Sequence, residues 1–305
     1  MRLPLTAACA ALLPFAAVAA VFDQGPIETR EFRNPVLARA ALAQGIETES
    51  LFGFTLGSDV DGAGSRGLAL ETIIGQGRRD GRYGAVGSKL EFSYGATDNL
   101  SVSLGLLGGW RNIRGVTGMP DTNAVRFDGI GTELRWRLFN REQDPVGLTL
   151  HIEPSIRVQD ETTGEAGFGF GSENKLIIDK TLIPGRLYGA LNLIYDIEQF
   201  RPRGGVTEKA SAAGIGAALT YQLTKGFFLG AELRYLRAYE GLTFNRYLGQ
   251  AMFAGPTLFW NVTPNLWVSA AVSMQVTGRE AGSSAALDLA DFNRVQARIK
   301  IGTEF

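Results

Sequence analysis

The sequence predicts an all-β protein: a transmembrane up-and-down antiparallel β-barrel of about twelve strands, with short periplasmic turns and longer outer loops. Three observations predict it. The chain alternates apolar and polar residues with a period of two through most of its length. The connections between alternating segments are short and long by turns. The chain closes on such a segment, "NRVQARIKIGTEF", in which Val295, Ala297, Ile299, Ile301 and Thr303 oppose Arg294, Arg298, Lys300 and Glu304.

The alternating segments fall near 66–78, 84–95, 99–110, 125–139, 146–159, 171–182, 186–198, 208–223, 226–238, 250–262, 265–277 and 291–305. Each is close to the length that a tilted membrane strand needs. In "GLTLHIEPSIRVQ", Leu148, Leu150, Ile152, Pro154, Ile156 and Val158 share one face, and Thr149, His151, Glu153, Ser155, Arg157 and Gln159 share the other. Short connections lie at 95–99, 140–145, 182–185, 223–226 and 263–265; longer ones lie at 111–124, 160–170, 199–207, 239–249 and 278–290. The first hairpin, around "RRDGRY", breaks this rhythm. A soluble sandwich has no reason to keep it over five successive pairs, whereas a barrel with both ends in the periplasm does.

Three parts are expected: a secretory signal peptide over 1–20, a periplasmic segment over 21–65 that is a candidate lumen plug, and the barrel over 66–305. "MRLPLTAACAALLPFAAVAA" carries Arg2, an apolar run and a small-x-small cleavage site at Ala17-Val18-Ala19. Cys9, the only cysteine, falls inside it, so the mature chain is expected to hold no disulfide. "NPVLARAALAQG" fits a short helix capped by Asn34. "SLFGFTLG" fits a strand or a lead-in packed in the barrel mouth.

The polar face is charged with both signs. Glu71, Lys89, Glu91, Glu133, Arg135, Arg137, His151, Glu153, Arg157, Asp196, Glu232, Arg234, Arg294, Arg298 and Lys300 are expected to line the lumen. On the lipid face an Arg or Lys at mid-membrane costs roughly 2–4 kcal/mol, which explains their absence there. Inside, they can pair across strands, bracing the wall, lining a polar conduit, or both. Trp110, Trp136 and Trp260 fall near strand ends on the apolar register, where interfacial aromatics sit.

Other chemistry is thinly signalled. With 30 basic and 31 acidic residues, nucleic-acid binding has no electrostatic support. His151, Glu153 and Ser155 share a face, but residues i and i+2 on a strand lie about 6.6–6.8 Å apart, so they form no hydrogen-bonded triad unaided. One histidine and no mature cysteine leave a zinc site few ligands, so neither a cofactor nor a resident metal is expected. "SDVDG" and the acids of 278–291 are weak calcium candidates. "GFGFGSEN" (167–174) lacks phosphate-loop spacing and reads as a flexible loop.

Phe305 after alternating Ile299 and Ile301 resembles the assembly signal of bacterial outer-membrane barrels, although Thr303 stands where those proteins carry a large apolar residue. "LFGFTLGSDVD", "LEFSYGATDNLSVSLGL", "FDGIGTELRWRL" and "PVGLTLHIEPSI" resemble an uncharacterised family of proteobacterial outer-membrane barrels, with a more distant similarity to transporter-like barrels linked to aromatic-compound degradation. The first resemblance implies fold and an outer-membrane location, with outer-membrane lipid and the barrel assembly machinery as partners. The second implies uptake of small molecules. A narrow channel or transporter for small polar or amphipathic solutes is therefore expected, with a structural or surface-interaction barrel as the alternative and a lipid-modifying enzyme as a remoter one.

Overall fold

The computed structural model describes residues 46–305. The expected signal peptide, Cys9 and the Asn34-capped helix lie outside the described residues. Twelve strands follow one another: β1 Arg66–Gln76, β2 Arg82–Thr97, β3 Leu100–Arg114, β4 Thr122–Phe139, β5 Gly147–Gln159, β6 Ala166–Ile183, β7 Leu187–Pro202, β8 Glu208–Thr224, β9 Phe227–Glu240, β10 Arg246–Asn261, β11 Leu266–Glu280 and β12 Val295–Glu304. Each pairs antiparallel with its neighbours in sequence, and β1 pairs with β12, so the sheet closes into a barrel without edges. Among the described residues no helix is long and apolar enough to cross a membrane.

Burial is inverted relative to a soluble protein. Leu104 and Leu106 on β3, Leu219 on β8 and Met274 on β11 point outward and are more than half exposed. Glu91, Glu133, Arg135, Glu232 and Lys300 point inward and are buried. An apolar outer band and a charged interior suit a wall between lipid and an enclosed lumen.

Strands run past the expected bounds mainly at the long-loop end, where β3 reaches Arg114 and β11 reaches Glu280. Residues 167–174 are not a flexible loop but part of β6. Phe168 and Phe170 point out, while Gly167 and Gly169 leave room on the inner side for the Phe200 ring of β7. Conversely, residues 291–294 precede β12 and belong to a loop that buries Phe292.

One irregularity reorients part of the wall. The β3–β4 register shifts between Leu107 and Gly108, opposite Gly129, whose φ is +153°. A side chain there would meet the Ile156 carbonyl, so the bulge needs glycine. Past it the alternation flips: Phe127 points out, and Asp128 turns in and is buried. Arg111 Nη1 then reaches Asp128 Oδ2 at 2.7 Å.

Candidate lumen site

Residues 46–65 precede β1 and turn back into the barrel at the short-turn end. Leu51 and Phe52 are fully buried, packed with Tyr188, Phe228 and Phe259 from the wall and flanked by Ile46 and Trp267. Phe228 lies edge-on to both Tyr188 and Phe259, and Trp267 stacks on Phe259. Burying two such side chains contributes roughly 1.5–3 kcal/mol each.

Polar groups of the wall satisfy the backbone of this segment. Glu232 Oε2 accepts from Phe54 N at 3.0 Å and Thr55 N at 3.1 Å. Asn192 is bidentate to Leu56, accepting from N at 2.8 Å and donating to O at 2.9 Å. Asp179 accepts from Ser58 N and Oγ at 3.0 and 2.5 Å. Arg135 Nη2 donates to Gly57 O at 2.6 Å and Asp59 O at 2.9 Å. Arg141 from the β4–β5 turn pairs with Asp59, and Arg298 donates to Gly53 O. Irregular backbone at membrane depth requires this kind of pairing, since no lipid group can supply it. Asp59 of the candidate calcium sequence "SDVDG" is thereby taken up by Arg141 and by Thr48 N at 2.8 Å.

The long-loop end is narrowed by two connections. Arg111 donates from Nε and Nη2 to Glu161 O, and Tyr83 donates to Thr162 O, drawing residues 160–165 inward. Loop 281–294 buries Phe292 against Phe253, and Arg78 donates to Ala290 O and Asp291 O. Asp288, a second calcium candidate, instead accepts from Ala290 N and Asp291 N. Burial pushes the Asp291 carboxyl up to about 6, with Asp288 adding to the shift and Arg78 opposing it.

Between the two ends lies a cavity of about 500 Å³. Its wall carries charges of both signs beside apolar patches from Phe54, Leu56, Ile73, Leu107 and Phe292. Lys89 Nζ contacts Glu91, Glu153 and Glu133 at 2.6, 2.8 and 3.5 Å. Lys300 Nζ sits 3.3 Å from Glu91 and 3.5 Å from Glu49. Arg298 pairs with Glu71 at 2.6 Å, and Arg157 with Glu161 at 3.1 Å. Arg234 lies 3.8 Å from Glu232, with its guanidinium over the Phe54 ring at 3.9 Å. Asp196 lines the cavity with a buried Oδ1 that has no hydrogen-bond partner among the described residues. His151 is buried among Glu133, Glu153 and Glu173.

Two residues expected in the lumen lie at its two ends. Arg137 sits half-buried at the short-turn mouth, donating to Asp98 O at 2.5 Å and Asn99 Oδ1 at 3.2 Å and lying 3.8 Å from Asp59 of the inner segment. Arg294 is exposed, because its N–H bonds to Gln76 O and Gly77 O where the loop enters β12. Among the aromatics, Trp136 and Trp260 point outward near the short-turn end, about half exposed. Trp110 lies toward the loop end, donating to Asn123 Oδ1 at 2.9 Å. Ile299 and Ile301 of β12 face Thr72 and Leu70 of β1, and Phe305 N donates to Arg66 O. Sequence reading missed Asn192, Asp128, Arg141 and Trp267. The polar parity of Asn192 was visible, but its partner was not.

Residues 44–305 match the Family of unknown function (DUF6662). The chain belongs to this family. Comparison with the curated proteins finds no match. Among solved structures, this DUF6662 barrel is similar to the COG4313 outer membrane channel from Pseudomonas putida F1, at 10% identity and TM-score 0.53, covering 81% of this chain and 98% of that one. The translocator domain of the autotransporter NalP from Neisseria meningitidis follows at 14% identity and TM-score 0.48, covering 81% and 91%. The TodX monoaromatic hydrocarbon channel matches at 9% identity and TM-score 0.40, covering 86% and 97%. The first likeness establishes the fold as that of an outer-membrane barrel; the other two add no argument.

Proposed function

We propose that this DUF6662 protein is an integral outer-membrane barrel that acts as a gated, narrow channel or transporter for small polar or amphipathic solutes. The observation that carries the reading is the cavity of about 500 Å³, walled by paired charges and apolar patches and stoppered at one end by residues 46–59. A lumen built only to brace the wall would be filled by side chains. The stopper is held largely by hydrogen bonds and ion pairs, which water can replace if it withdraws. The outer membrane channel of similar fold gives the reading a precedent. The leader is proposed to be cleaved after Ala19 or Ala20, and the barrel assembly machinery to read Phe305.

Planar-bilayer recordings test it. The full mature chain should show rare, small openings, and a chain lacking residues 46–58 should conduct steadily. A folded deletion variant that stays electrically silent would sink the channel reading and favour a structural or surface-interaction barrel.

A further inference from the structure

The register of four neighbouring strands aligns a row of carboxylates across the lumen wall. Glu153 of β5 faces Glu173 of β6, and Glu173 faces Asp196 of β7. On the other side, Gly131 pairs with Ser155 and Arg135 with His151, which sets Glu133 of β4 level with Glu153. Like charges directly opposite one another destabilise a sheet. Two ammonium groups touch this row of four: Lys89 on Glu133 and Glu153, and Lys175 on Glu173. Four carboxylates thus share two ammonium groups, and Asp196 is in contact with neither.

His151 lies one step along β5 from this row and is 1% exposed. Among the described residues neither ring nitrogen has a hydrogen-bond partner. Nε2 is 3.6 Å from Glu153 Oε2, and Nδ1 is 3.9 Å from Glu133 Oε1. Leaving a buried polar side chain unsatisfied costs about 1–3 kcal/mol, so the site is built for something beyond its protein neighbours. One donor atom from each of Glu133, His151 and Glu153 lies within 4.8 Å of the others. A point central to three atoms so spaced is within about 2.8 Å of each, and small side-chain rotations close that to the roughly 2.0–2.2 Å of a zinc–nitrogen or zinc–oxygen bond.

We propose that Glu133, His151 and Glu153 form a binding site for a divalent first-row transition-metal ion. An imidazole with two carboxylates suits such an ion better than calcium or magnesium, which prefer all-oxygen sets. Lys89 is the cation that the metal displaces from the two glutamates. Its ammonium also contacts Glu91 at 2.6 Å, a carboxylate outside the three ligands that can retain it. The site stands whether or not the lumen conducts.

Zinc titration of the untagged, detergent-folded full chain by calorimetry, with cobalt absorption as a second readout, tests the assignment. His151 is the only histidine, so a tag would mask it. One ion per barrel is expected. His151→Ala should weaken zinc at least tenfold, on the order of what loss of even an outer-shell partner costs, and should erase the cobalt ligand-field band. Lys89→Met should tighten zinc binding. A gel shift on boiling confirms folding of each variant. A folded wild-type barrel that takes up no zinc overturns the proposal, and so does uptake unchanged by His151→Ala.

Discussion

Arg298 Nε donates to Glu71 Oε1 at 2.6 Å across the junction where the last strand meets the first. The pair is diagonal, since Glu71 stands directly opposite Lys300 and Arg298 opposite Ile73. The same guanidinium donates from Nη1 to Gly53 O of the inner segment. One side chain therefore joins barrel closure to the stopper. Removing one partner of a buried pair costs about 3–5 kcal/mol, because the other charge is left uncompensated. Arg298→Met should lower the guanidinium midpoint of the detergent-folded barrel accordingly, and Glu71→Gln with Arg298→Met should recover part of that loss. Unchanged stability in the single variant would show the pair to be idle.

Glu232 anchors the stopper's middle, accepting from Phe54 N, Thr55 N and Ser273 Oγ. Glu232→Gln should weaken these charge-assisted bonds, each worth about 1.5–3 kcal/mol. Amide exchange over residues 50–58 should accelerate at least tenfold, with the strands unaffected. Equal protection in variant and wild type would move the anchoring to the Leu51–Phe52 packing.

The docked segment should respond to pH. Burial, together with Glu49 and Glu304, raises the Asp61 carboxyl from 3.8 to about 6, against opposing effects of Ser93 and Arg135. Burial and then Glu304 and Glu49 raise Glu47 in the same direction. Docking therefore holds these protons more tightly than the released state does. The contribution of these two groups to its stability is fully present below the ordinary carboxylate range and is lost as pH rises through about 6. Exchange protection of residues 46–60 should be stronger at pH 4.5 than at pH 7.5, and Asp61→Asn should flatten the difference. Protection that rises with pH would contradict this assignment.

The outward face should reject charge. Leu104→Arg places a guanidinium on the exposed apolar band and should cost roughly 2–4 kcal/mol if it sits at mid-membrane. Unfolding from lipid vesicles measures this. A neutral effect would mean that this face does not meet the hydrocarbon core.

Deleting Phe305, which is 68% exposed at the end of β12, should lower the yield of inserted barrel without altering the stability of what does insert. Normal insertion would leave the assembly signal elsewhere in the last strand.

The existence of the twelve strands, the face each turns to lipid, and the polar character of the lumen were legible in the sequence. Those properties follow from side-chain alternation, which is local and repeats every second residue. The alternation failed to give the inward turn of Asp128, because the bulge at Gly129 shifts parity in the middle of β4. It also placed Arg294 in the lumen and left Arg137 without a position along it, because parity names a face but not a depth along the barrel. The pairing of Glu71 with Arg298, the row from Glu133 to Asp196 and the seat of residues 46–59 were decided only by the closed tertiary structure. Each depends on the stagger between strands and on which of many lumen groups an irregular segment can reach. Those distances join residues far apart in the chain, and no repeat along one strand encodes them.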